Sequence, residues 1–178
     1  KKRGLEVGVG TGRFAQNLGI STGIDPSEKM LEIARARGVD AKVGFGENIP
    51  FPDGTFDYVA IIITLCFVKD PAKVLAQARR VLKSAGRIIV AIVDKESFLG
   101  RYYQRKKSVF YKQARFLSVK EAIGLLKGAG FSRFVFYQTI SVLPKKMASV
   151  EKPKKGFGKG GFIVIGARKG ILRGEKII

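Results

Sequence analysis

The stretch LEVGVGTGRFA, Leu5 to Ala15, places Gly8, Gly10 and Gly12 within five positions, directly behind a short apolar run. Glycine loses more backbone freedom on folding than any other residue, so this density marks a tight turn, a close backbone approach, or both. The apolar runs along the chain tell which kind of sheet the turn serves. The runs 4–9, 19–25, 40–44, 56–63 and 86–93 are rich in Val and Ile without strict alternation, the pattern of strands buried on both faces.

Between these runs lie helix signals. In PSEKMLEIARARG, Pro26 stands at a first helical position behind Asp25, Met30, Ile33 and Ala34 share one face, and Gly38 is the stop. In DPAKVLAQARRVLKSAG, Asp70 is the expected N-cap, Pro71 follows it, and Gly86 closes the segment. Strand and helix in series predict an α/β fold: an open, mostly parallel sheet with right-handed crossovers and helices on both faces. After residue 94 the rhythm breaks. Residues 94–116 are aromatic and basic with no clean period and are expected to form a lid-like insertion. A helix capped by Ser118 and Glu121 comes next, then runs 133–140 and 161–169 joined by a basic stretch, 144–160, expected to be mobile. The last two runs predict a C-terminal antiparallel hairpin at the sheet edge, bringing the sheet to seven strands in a single domain, 1–178.

Composition narrows the setting. With 178 residues, 46% of them hydrophobic, the chain can bury a core. Its one cysteine cannot form an internal disulfide, and no apolar run approaches a membrane span, so a cytoplasmic location is the expectation. Charge is uneven: residues 1–94 carry 14 Lys/Arg against 10 Asp/Glu, residues 95–178 carry 20 against 4. A basic half attracts an acidic substrate or nucleic acid, or is a solvated surface. The chain opens on Lys1 and enters a strand almost at once, which predicts that a helix ahead of it is missing.

A dinucleotide turn would read G-x-G-x-x-G, and Arg13 stands where its third glycine belongs. The G-x-G-x-G run behind Glu6, with Asp25 at the end of the next strand, instead resembles the class I S-adenosylmethionine-dependent methyltransferases. LEVGVGTGRFA, GIDPSEKMLEIARARG, GENIPFPDGTFDYV and DPAKVLAQARRVLKSAGRIIV are similar, in order, to the small-molecule branch typified by the ubiquinone and menaquinone biosynthesis enzymes. The resemblance covers residues 4 to 94. It implies a Rossmann-like fold, S-adenosylmethionine as cofactor, a small-molecule acceptor and no metal.

It also implies roles. Gly8, Gly10 and Gly12 would lie against the cofactor, Glu6 would serve its amino end, and Asp25, followed by Pro26, would accept the ribose hydroxyls. Phe45 stands where relatives often carry an adenine-binding aspartate, which leaves adenine to stacking, to the backbone of Gly46 and Glu47, and to Met30 and Ile49. Leu65 and Cys66 are expected to line the same pocket. The chain has no histidine, so a histidine base is excluded within it. In-line transfer from a sulfonium needs alignment and dryness more than a base. If a proton must leave, Asp94, Glu96, Tyr102, Tyr103 and Tyr111 are candidates by position. The insertion combines Phe98, Tyr102, Tyr103, Phe110 and Tyr111 with Arg101, Arg105, Lys106 and Lys107. That mixture suits a flat anionic acceptor, or RNA bases beside a phosphate track, or a non-catalytic binding face. Oligomeric state is not readable from the sequence.

Overall fold

A computed structural model describes residues 2–106 and 108–170. Eight strands form one sheet: β1 (Gly4–Val7), β2 (Thr22–Asp25), β3 (Asp40–Val43), β4 (Phe56–Ile62), β5 (Leu82–Val93), β6 (Phe131–Thr139), β7 (Lys154–Lys155) and β8 (Phe162–Lys169). Their order is β3-β2-β1-β4-β5-β8-β6-β7. The first five run parallel; β8 pairs antiparallel with both β5 and β6. Seven strands match the expected set, and β7 adds a two-residue edge from within the basic stretch 144–160, where Pro144–Lys146 also forms a 3-10 turn. The order reverses between β1 and β4, so the crevice beyond their carboxyl ends is where such a sheet opens a ligand site.

The helices are α1 (Arg13–Leu18), α2 (Glu28–Ala36), α3 (Pro71–Val81), α4 (Phe98–Gln104), α5 (Val109–Gln113) and α6 (Val119–Gly128). Strand β4 shows why both sheet faces are covered. Val59 and Ile61 join the core cluster that includes Val74, Leu75 and Ala78 of α3 and Leu126 of α6. Ala60 and Ile62 point the other way, to the cluster with Ala15 of α1 and Leu31 and Ala34 of α2. A strand buried on both sides needs an unbroken apolar run, and VAII supplies it. None of the described helices is long and apolar enough to cross a membrane.

Caps follow the sequence in two of three helices. Asp70 accepts from the Lys73 N–H at 3.0 Å, and Ser118 and Glu121 form a reciprocal capping box. Helix α2 departs: it starts at Glu28 with Ser27 as N-cap, so Pro26 lies ahead of the helix. The Asp25 carboxylate takes the Ser27 N–H at 2.9 Å, and this local turn holds Pro26 outside. The segment after α3 departs too. The helix ends at Val81, and fully buried Leu82 already pairs with Phe56, so Gly86 sits inside β5 and not at a helix stop. A Cβ there would lie 2.9 Å from the Leu82 side chain, which explains the glycine.

Candidate active site

Beyond the carboxyl ends of β1, β2 and β4 lies a cavity of about 800 Å³. Its floor is the glycine loop. The Gly8 and Val9 N–H groups donate to the Ile24 carbonyl at 2.8 and 2.9 Å, and the Gly10 N–H donates to Asp25 Oδ2 at 3.0 Å. Asp25 thus holds the loop with one oxygen and the Ser27 N–H with the other, and each oxygen keeps a second lone pair. Gly8 has φ +72°, and a Cβ on it would overlap the Thr64 side chain, so no side chain fits. Gly10, at φ +51°, faces open space. Gly12 serves a different end: it is buried, and a Cβ would meet Ala34 at 3.0 Å, so it lets α1 close on α2.

Of the expected cofactor residues, Gly8, Gly10, Asp25, Pro26, Met30, Gly46 and Glu47 line this cavity together. Glu47 also accepts from the Lys69 and Asp70 N–H groups, tying the loop after β3 to the start of α3. Phe45 is 60% exposed and lines the rim, so it is no core residue, whereas Ile49 is buried in the main core. Glu6 lies behind the loop. It is 1% exposed, its Oε2 has no partner, and burial raises its pKa to about 7 against the opposing pull of the Ala15 backbone N–H. A buried carboxylate with one unpartnered oxygen, beside a loop that excludes side chains, fits a ligand with a cationic end and a close-lying body.

Leu65 and Cys66 do not line this cavity; the expectation is corrected by the turn after β4. The Phe67 N–H donates to the Thr64 carbonyl at 2.9 Å, which brings Thr64 and Phe67 to the cavity and turns Leu65 into the core. Cys66 faces a second cavity, and burial pushes its thiol up to about 11, leaving it protonated and inert at neutral pH. No run of apolar residues announces such a turn. The one local signal is Thr64 following the strand, with its hydroxyl bonded back to the Ile62 carbonyl.

The second cavity, about 520 Å³, is aromatic and aliphatic, with Phe14, Phe67, Tyr103, Tyr111, Phe116 and Phe162 on its wall. Tyr103 and Tyr111 stack with centroids 4.8 Å apart, and burial raises the Tyr103 pKa. Asp94 is 7% exposed and lines neither cavity; its Oδ1 accepts from the Glu96 N–H at 3.2 Å and its carbonyl from the Ser97 hydroxyl, which starts α4. Tyr102 turns to the opposite side of α4. Lys107 lies outside the described residues, as does the side chain of Phe110. Ile63 and Phe67 line both cavities. Ile63 has φ +54°, a region that branched side chains avoid, and its N–H is held by the Ala91 carbonyl at 2.9 Å.

A methyltransferase-domain family model matches residues 5–90, the span that contains the glycine loop, Asp25 and the turn after β4. A Citrifermentans bemidjiense ubiquinone/menaquinone biosynthesis C-methyltransferase is 32% identical over 92% of this chain and 69% of its own length. The chain belongs to the S-adenosylmethionine-dependent methyltransferases. S-adenosylmethionine is accordingly the methyltransferase's cofactor. The crystal structure of a Thermotoga maritima member, described as a possible histamine N-methyltransferase, matches with a TM-score of 0.92 and 49% identity, covering 95% of this chain and 83% of that one. An uncharacterized Methanocaldococcus jannaschii protein is 47% identical over 95% of this chain and 83% of its own length. The methyltransferase spans 59% of the length of 36%-identical Mycobacterium tuberculosis relatives.

Proposed function

We propose that this methyltransferase modifies a flat, largely apolar small molecule, with the cofactor in the glycine-loop cavity and the acceptor in the aromatic one. The supporting observation is the shared wall: Ile63 and Phe67 border both cavities, so a donor and an acceptor seated there meet across one backbone turn and one ring. Asp25 is assigned the ribose hydroxyls through its remaining lone pairs, Glu6 the amino end, and Gly8 and Gly10 the length of the ligand. Phe45 and Met30, with the backbone of Gly46 and Glu47, are assigned the adenine. When bound, the cofactor supplies a methyl group on a sulfonium, which is already electrophilic.

The chain itself has to orient the acceptor, exclude water and tolerate the departing proton. The aromatic wall does the first two. Among the described residues no carboxylate lines the acceptor cavity, and burial raises the Tyr103 pKa above its ordinary value. An apolar cavity without a carboxylate takes a neutral hydroxylated ring, reacting at carbon or oxygen, more readily than an ammonium, whose charge would be buried unpaired. The name of the C. bemidjiense relative agrees with that preference; the description of the T. maritima relative points to an amine instead.

The test is a calorimetric titration with S-adenosylmethionine, followed by a screen of hydroquinones, phenols and amines that reads S-adenosylhomocysteine. Cofactor binding, with turnover of the hydroxylated rings exceeding that of the amines, is expected. Absence of binding heat, or turnover confined to amines, would overturn the reading.

A further inference from the structure

Helix α4 is a partition. Leu99 and Tyr103, four apart, face the aromatic cavity, while Phe98, Arg101, Tyr102 and Arg105, at spacings of three and four, face a separate cleft of about 380 Å³. Lys106 closes that cleft and sits at the seam between the two. Its ammonium lies 5.0, 5.3 and 5.7 Å from the ring centroids of Tyr102, Tyr103 and Tyr111, the first a cleft residue, the others cavity residues.

Among the described residues the cleft gathers three cations and no acid. Nearby Lys95 is neutralised by Glu121 at 2.6 Å. Within the same described set, Arg101, Arg105 and Lys106 pair with no carboxylate. Arg101 donates to the Glu96 backbone carbonyl, although the Glu96 side chain is close in sequence. Like charges at i and i+4 oppose each other on a helix, and Arg101 and Arg105 stand in that relation at its end. All three side chains are exposed, so dissolved salt screens that repulsion and an acidic ligand would relieve it.

We infer that the acceptor carries an acidic group that reaches round the end of α4, where Lys106 at the seam and Arg105 beside it bind the acid while the apolar ring occupies the aromatic cavity. The ligand class is thus an aromatic or similarly flat acid, a carboxylate or a phosphate ester, in contrast to a neutral quinol or a cationic amine. The Arg105 guanidinium offers paired donors to two acid oxygens, and Lys106 leans from the seam toward either the acid or the ring face. This rests on the reading of the aromatic cavity as the acceptor site.

The experiment titrates the protein, saturated with S-adenosylhomocysteine, with three ligands sharing one ring system: 2-naphthoate, 2-naphthyl phosphate and 2-naphthamide. At least one acid is expected to bind about tenfold or more tightly than the amide. Whichever acid is tighter names the group. That advantage should fall away in Arg105→Gln and in Lys106→Gln, survive in Arg105→Lys, and shrink as salt is raised. Equal binding of all three ligands, no binding by any of them, or an advantage untouched by both Gln substitutions would overturn the inference. S-adenosylmethionine binding by the same preparations separates the two readings. A protein that binds the cofactor and methylates neutral hydroquinones without preferring acids keeps the methyl-transfer reading and loses this one.

Discussion

The two cavities that meet at Ile63 are built by opposite means. The floor of the glycine-loop cavity is made of backbone and one side chain, glycine amides, short turns and a strand-end carboxylate, fixed by hydrogen bonds near 3 Å, with Met30, Phe45 and Phe67 among the side chains around it. The aromatic cavity is made of side chains drawn from α1, the turn after β4, the end of β5, α4, α5 and the edges of β6 and β8. A backbone cradle is intolerant of change and indifferent to most side-chain identities, so it can be held constant. A side-chain wall can be redrawn residue by residue without disturbing the sheet. One scaffold can therefore keep a donor site while its acceptor site varies.

Substitutions that respect or violate this division should differ in size. The largest effect is expected from Gly8→Ala, where a Cβ would overlap the Thr64 side chain and φ is +72°. Left-handed strain and overpacking together should cost about 2–4 kcal/mol in urea unfolding and abolish cofactor binding. A variant that unfolds like the parent and still binds would show that the loop is not rigid.

Glu6 ranks next. Its folded pKa of about 7 lies above the ordinary value of 4.5, so the folded protein holds a proton that the unfolded chain releases between those values. Stability without cofactor should therefore fall as pH rises from about 4.5 to about 7, by about 3 kcal/mol in all, then level off. Glu6→Gln should flatten that slope. If Glu6 faces the cofactor's ammonium, affinity should rise between pH 6 and pH 8 in the parent and not in Glu6→Gln. Urea midpoints and calorimetry across that range check both.

Asp25→Asn keeps the shape while weakening the acceptor of the Gly10 and Ser27 N–H groups and of any bound hydroxyls. A loss of about 2 kcal/mol in cofactor binding is expected, with acceptor KM little changed. The smallest effect belongs to the aromatic wall: Tyr103→Phe should alter kcat by less than about twofold if the ring is only a surface. A larger loss that varies with pH would instead assign its hydroxyl to proton transfer.

Much of the glycine-loop cavity is legible in the sequence because its determinants are local. Glycines exclude side chains wherever they stand, and Asp25 ends a strand whose apolar run is visible by itself. The turn of Thr64 to Phe67 is not legible, since one hydrogen bond decides whether Leu65 or Phe67 faces the cavity, and residue types do not fix that bond. Gly12 and Gly86 read as a loop residue and a helix stop, but their partners, Ala34 and Leu82, are known only once helices and strands have packed.

By itself, then, the order of residues determined the alternating α/β sheet, the crevice at its reversal point and the carboxylates that ring the glycine loop, because each follows from periodicity or from the conformational limits of a single residue type. Only the tertiary structure decided which side chains close the aromatic cavity and that α4 and its end set three cations without a carboxylate, among the described residues, on the other side. Those juxtapositions join segments as far apart as Phe14 and Phe162, and distant contacts are chosen by how surfaces pack, which no local pattern encodes.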